Sequence, residues 1–186
     1  MASTIAAPPR IVLPPEGGGA PDSAPHSANR TGLILTLAAI SMMFIGLTSA
    51  YVVGEGLNPV WQQIHMRPLI WIDTAILLAS SYTMERARRH LSARWLIATL
   101  LLGIAFLAGQ IGVFAQLAQD GLYLNTGRQA SFYYVLTSLH GLHILGGIFA
   151  LGWVALRLRR STLDLTAIYW HFMDALWLYL LAVIFV

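Results

Sequence analysis

Five apolar stretches of sixteen residues or more alternate along the chain with shorter polar segments, at about 33–53, 69–84, 95–118, 131–156 and 167–186. About 20 residues rising 1.5 Å each cross a bilayer core of roughly 30 Å. The pattern predicts an all-α, polytopic membrane helix bundle with five transmembrane helices. The second stretch is the shortest: Pro68 to Met84 supplies only about 24 Å of helix, so its flanks must snorkel or the bilayer must thin. Residues 1–30 carry six of the eight prolines and the run Gly17-Gly18-Gly19. That composition buries too little apolar surface to order itself and predicts a disordered cytoplasmic tail, leaving 31–186 as the transmembrane domain. The longest apolar run in the tail, Ile11-Val12-Leu13, is too short for the core of a signal peptide. Between the third and fourth stretches, Asp120, Gly121, Asn125 and Gly127 supply turn chemistry for a short helix connection.

Composition sharpens this picture. The 186 residues are 57% apolar and 10% charged, and mean hydropathy is +0.66, which excludes a water-soluble globule. Absence of cysteine excludes disulfide frameworks, thiolate metal sites, iron–sulfur clusters and cysteine nucleophiles. The formal charge of +3 comes from eleven arginines and no lysine. In a membrane protein these report orientation and headgroup contact, and they give no support to nucleic-acid binding. Arg10, Arg30, Arg86, Arg88, Arg89, Arg94, Arg157, Arg159 and Arg160 fall on one side of the expected topology, and only Arg67 and Arg128 on the other. The positive-inside rule therefore places the N-terminus in the cytoplasm and Val186 outside.

In lipid, helices meet along small residues that let backbones approach. Ala98, Ala105, Gly109, Gly112 and Ala115 form such a seam on the third span, and Gly146 with Ala150 gives the fourth a matching step. The seam suits self-packing of the bundle or docking of another subunit.

Ionisable groups within the membrane are the candidates for chemistry, because each costs on the order of 2.5–3.5 kcal/mol at a helix centre. Asp73, one turn into the second span, is placed to reach the outer headgroups. His140 and His143, three residues apart, share one face of the fourth span. Haem or zinc ligation is one reading of that pair, but zinc would need further ligands, and His171 lies at a shallower depth. The plainer reading has both histidines donating to carbonyls or carboxylates of neighbouring helices, with Gly141 allowing close approach. His171 and Asp174 pair near the cytoplasmic start of the fifth span, either as a proton relay or as an anchor. Tyr169, Trp170 and Trp177 flank them, amphipathic rings suited to an interface with lipid or a partner. No phosphate loop, Ser-His-Asp arrangement or spaced pair of buried carboxylates is present to carry hydrolytic or phosphoryl chemistry.

The run Ser131-Phe-Tyr-Tyr-Val-Leu-Thr-Ser-Leu-His140-Gly-Leu-His143-Ile-Leu-Gly-Gly147, followed by Tyr169-Trp-His-Phe-Met-Asp174-Ala-Leu-Trp177, resembles subunit III of the haem–copper oxidases. Leu77-Leu-Ala-Ser-Ser-Tyr-Thr83 and Gly109-Gln110 are similar to other parts of that family, and the likeness spans about residues 33–186. It implies a metal-free accessory subunit of the bacterial plasma membrane. Haem and copper would reside in the partner catalytic subunit, beside subunits I and II of the same complex, and structural phospholipid would lie between helices. On that resemblance His140, His143, Trp170, His171, Asp174 and Trp177 are lipid, packing or subunit-interface residues, and no residue is catalytic, cofactor-binding or metal-binding. Subunit III of this family supports proton uptake and protects the catalytic centre.

The chain departs from the family in three places. Five spans resemble the short bacterial form, whose first two helices are absent or belong to another chain. Ala39-Ile40-Ser41-Met42 stands where a buried Glu is common, and Val113 stands near another frequent Glu position. Both departures favour a structural or lipid-mediated role over one that depends on a carboxylate. Three other readings remain at this level. The first is the homologous accessory protein of nitric oxide reductase; the second is a free-standing haem carrier using His143 and His171. The third, a transporter with His171 and Asp174 on its path, lacks the repeats and paired helix breaks of such folds.

Overall fold

The computed structural model describes residues 24–57, 68–121, 128–157 and 159–185. Five helices follow in order: α1 (Ala24–Gly56), α2 (Pro68–His90), α3 (Ala93–Gln119), α4 (Arg128–Arg157) and α5 (Arg160–Phe185). Most of the segment expected as a tail lies outside the described residues, as does Arg67, while α1 begins at Ala24, within that segment. Among the described residues, four helices are long and apolar enough to cross a membrane: α1, α3, α4 and α5. α2 differs because its last turns carry Glu85, Arg86, Arg88, Arg89 and His90. Helical geometry still gives its 23 residues about 34 Å of length.

Antiparallel packing of α2 on α3 forms the centre of the molecule. The buried positions of α3 are Leu96, Thr99, Gly103, Phe106, Gln110, Val113 and Leu117. Their alternating spacing of three and four keeps one stripe facing the interior of the bundle, where Thr99 and Gln110 meet α2 and Gly103 and Phe106 meet α4 and α5. Asp73, Leu77, Ser80, Met84 and Ala87 repeat the same spacing on α2. Only Leu91 and Ser92 separate the two helices, and Leu91 takes φ +46° to make the reversal. Glycine usually occupies such a position, so Leu91 bears a left-handed backbone with a Cβ.

α5 lies against α2 and α4, and α1 leans on α4 and α5. Contacts fix the directions: Thr83 meets Thr99, Ser81 meets His171, Tyr169 meets His143 and Thr48 meets Tyr179. Hence α5 runs antiparallel to α2 and α4 but parallel to α1. This order gathers Arg30, Arg86, Arg88, Arg89, Arg94, Arg157, Arg159 and Arg160 at one end of the bundle. Large apolar side chains such as Met42, Ile111, Phe149 and Leu156 face outward, which a lipid environment tolerates without cost.

The expected small-residue seam is only partly an interface. Gly109 and Gly112 approach α2, whereas Ala105, Ala115 and Ala150 are exposed; Gly103, outside the expected seam, makes a close approach to Trp170. On α4, Gly147 makes the close approach, against Trp170 and Tyr169.

Candidate functional site

The polar side chains of the core form a ladder between α2, α3, α4 and α5. α5 turns Trp170, Met173, Asp174, Trp177 and Leu180 inward at helical spacing. The Trp170 indole fits between two glycines: a Cβ at Gly103 would lie 2.8 Å from it, and one at Gly147 3.1 Å. Its Nε1–H donates to Ser80 Oγ at 3.0 Å. Trp177 donates through Nε1–H to Thr74 Oγ1 at 3.1 Å. A buried indole needs such a partner, and each bond fixes the rotation of α5 against α2.

His140 is fully buried. Its ring stacks on Trp177 with centroids 5.2 Å apart and meets the edge of Phe106 at 5.9 Å. Neither ring nitrogen has a hydrogen-bond partner among the described residues. His143 turns toward α1, meeting Phe44 edge-on at 5.8 Å, and its Nδ1 lies 2.6 Å from the Leu139 carbonyl of its own helix. Among the described residues, the expected bonds from both histidines to neighbouring helices are therefore not formed. The two positions lie only about 60° apart around α4, but packing divides them: His140 meets Phe106 and Trp177 in the core and His143 meets Phe44 on α1.

His171 and Asp174 share a face of α5 but do not bond to each other. His171 Nδ1 lies 2.6 Å from Ser81 Oγ, and its Nε2 lies 3.9 Å from Glu85 Oε2. The Ser81 hydroxyl also faces Asp174, whose two carboxylate oxygens have no hydrogen-bond partner of good geometry among the described residues. Of the six residues expected at a lipid or subunit interface, His140, Trp170, Asp174 and Trp177 are buried inside this chain's own bundle. His143 and His171 are half-buried.

Asp73 does not reach the outer headgroups. It is 1% exposed and accepts a 2.9 Å hydrogen bond from Gln110 Nε2 on α3. Gly109 makes the space, since a Cβ there would collide with the Asp73 carboxylate. Asp73 was a candidate placed at the headgroups instead of the core, and the residues that sequence reasoning left out of the site are Gln110, Tyr133, Thr74, Ser80 and Ser81. The signal for Asp73 and Ser80 was the spacing of four, three, four and three from Asp73 to Ala87, which puts both on the buried stripe of α2.

At the arginine-rich end, Glu85 accepts from Arg88 Nε at 2.9 Å and Arg89 Nε at 2.8 Å. These hydrogen bonds pull the Glu85 carboxyl down to about 2. Arg88 also lies 3.9 Å from Asp164 on α5. Arg157 covers the Trp153 ring at 4.9 Å, an arrangement suited to the membrane interface. Among the described residues, no group of three or more His, Asp or Glu side chains converges as a metal site.

Fold and core together define a multi-pass membrane protein whose buried polar groups join helices. The sequence matches the family described as "Cytochrome c oxidase subunit III" over residues 18–186. It is 31% identical to the "Probable cytochrome c oxidase subunit 3" of Nocardia farcinica, covering 86% of this chain and 91% of that protein. The "Cytochrome c oxidase subunit 3" of Synechocystis is 29% identical, over 83% of this chain and 73% of its own length. The "Probable quinol oxidase subunit 3" of Staphylococcus aureus is 28% identical, with coverage of 88% and 92%. The chain belongs to the cytochrome c and quinol oxidase subunit III family, in its short bacterial form with five helices. It is accordingly a multi-pass protein of the bacterial plasma membrane.

Proposed function

We propose that the chain is the non-catalytic subunit III of a haem–copper terminal oxidase in aerobic respiration. It partners subunits I and II, binds no redox centre itself and supports proton uptake by, and durability of, the catalytic subunit through helix and lipid packing. The observation that carries this reading is the family match across residues 18–186, joined to a core in which Trp170, Trp177 and Asp73 are spent on contacts between helices.

In this reading all five helices cross the membrane, with α2 sheltered by its neighbours. The arginine-rich end faces the cytoplasm, so the N-terminus is inside and the C-terminus outside. A lipid role draws support from the apolar groove between α1 and α5. It is lined by Ser41, Phe44, Ile45, Phe172, Leu176 and Tyr179 and encloses about 250 Å³.

The test is purification of the membrane complex through a tag on this chain. Haem and copper in the co-purified material, with oxygen consumed on adding reduced cytochrome c or a quinol, is the expected result. Material free of both metals overturns the reading.

A further inference from the structure

The outward face of α2 ends in a basic recess. Trp71, Ala75, Leu78, Tyr82 and Arg86 are exposed at spacings of three or four, so they form one stripe along the helix. At the arginine-rich end this stripe runs into a recess of about 460 Å³ lined by Tyr82, Glu85, Arg86, Arg89 and His90. The bond between Thr83 and Thr99 sets this part of α2 beside α3, a helix long and apolar enough to cross the membrane.

Arg86 does not reach out toward water. Its Nε–H and Nη2–H both donate to the Tyr82 hydroxyl, at 2.9 and 2.6 Å, and its guanidinium carbon lies 5.2 Å from the centre of the Tyr82 ring. A helical side chain leans toward its own N-terminus, which on α2 is the direction away from the arginine-rich end. Arg86 is thus drawn toward the apolar part of the stripe, where an arginine ordinarily snorkels outward.

Charge and hydrogen-bond capacity in the recess are both unbalanced. Glu85 is the one carboxylate in the lining, and it already accepts from Arg88 and Arg89. Arg86 has no acidic partner among the described residues. The Tyr82 hydroxyl accepts twice from Arg86, so its own proton is what it has left to offer. The lining therefore calls for an acceptor that carries negative charge. A phosphodiester supplies one, with oxygens for a guanidinium and a phenol at once. The apolar stripe leading on to Leu78 and Trp71, which are 50% and 60% exposed, assigns that phosphate to a lipid, because a free anion gains nothing from such a surface.

We propose that Tyr82, Arg86, Arg89 and His90 hold the phosphate of an anionic phospholipid whose acyl chains lie along Leu78, Ala75 and Trp71. This site is separate from the groove between α1 and α5, and it does not depend on which oxidase the chain serves.

The test uses the full-length chain, with everything that co-purifies through its tag, washed in an uncharged detergent. Retained phospholipid is counted per chain and by headgroup class with mass spectrometry, whether or not haem accompanies it. The parent should retain one more anionic phospholipid per chain than Arg86→Gln. Arg160→Gln, which removes the same charge from the start of α5, should retain the parental number. Equal retention by the parent and Arg86→Gln overturns the proposal, and so does an equal loss in Arg160→Gln, the mark of a diffuse field of charge. Tyr82→Phe keeps the ring and deletes the hydroxyl; it should show the same loss as Arg86→Gln, and full retention overturns the proposal even where Arg86→Gln fails to assemble. Phosphatidylglycerol returned to the washed parent should raise its thermal midpoint, with no rise in Arg86→Gln. An equal rise with phosphatidylcholine overturns the preference for an anionic lipid, and an equal rise with inorganic phosphate overturns the lipid in favour of a free anion. A companion protein's carboxylate seated on Arg86 in a density map of the complex overturns it in favour of a protein contact.

Discussion

Helices α1 and α2 are held in opposite ways. α1 is a long run of Leu, Ile, Met and Ala, and most of its side chains point away from the bundle. α2 carries Asp73, Thr74, Ser80, Ser81 and Thr83 within its apolar length, yet it sits between α3 and α5. In water the more apolar helix would be the more buried. In lipid that drive disappears, and contact is decided by close backbone approach and hydrogen bonds between helices. α2 has several of the latter, to Gln110, Thr99, Trp170, Trp177 and His171. α1 is tied to α5 by the 2.7 Å bond between Thr48 and Tyr179 and a longer one from Tyr51 to the Ile184 carbonyl.

The sharpest way to break the comparison is to add one methyl group to each helix environment. Gly109→Ala drives a Cβ into the Asp73 carboxylate, whereas Gly46→Ala on α1 meets open space. Thermal denaturation of the purified complex should show a loss of about 2–3 kcal/mol for the first, from overpacking and a disturbed polar contact. The second should lie within about 0.5 kcal/mol of the parent. Equal effects would mean that α1 is as tightly enclosed as α2.

Trp177→Phe comes next, since it keeps an aromatic ring but deletes the Nε1–H bond to Thr74 and leaves that hydroxyl short of a partner. A loss of about 1–2 kcal/mol is expected in the same assay. Thr48→Val removes the bond that ties α1 to Tyr179. Its cost should be about 0.6 kcal/mol, the usual value of such a bond in a membrane. The smallest effect belongs to the arginine-rich end. The Glu85 carboxyl sits near 2, against an ordinary 4.5. Its contribution to stability is whole above pH 4.5 and fades as the pH falls toward 2. Glu85→Gln should flatten that acid limb slightly, and salt should do the same because the arginines are exposed.

Much of the bundle was legible in hydropathy alone, because a helix of about 20 apolar residues is the simplest solution to backbone satisfaction in lipid. α2 was read least well. Its polar face offsets its apolar one in any average, and Asp73 near a helix start is read as interfacial unless the three-and-four spacing of its neighbours is followed. Trp170, Asp174 and Trp177 stood out by type, but whether they face lipid, a partner or their own bundle depends on the rotation of α5. That rotation is set by Ser80, Thr74, Gly103 and Gly147 on three other helices, which sequence spacing within α5 does not encode. His140 and His143 show the same limit on α4: their spacing placed them on one side, and packing then separated them.

The account rests on these core side chains joining helices instead of carrying protons or electrons. Turnover per haem tests this most directly, measured on complexes containing wild-type chain or Asp174→Ala. The account predicts less assembled complex, or a shorter working life, at an initial oxygen-reduction rate per haem equal to that of the parent. A rate per haem that falls in fully assembled complex from the first turnovers would contradict it.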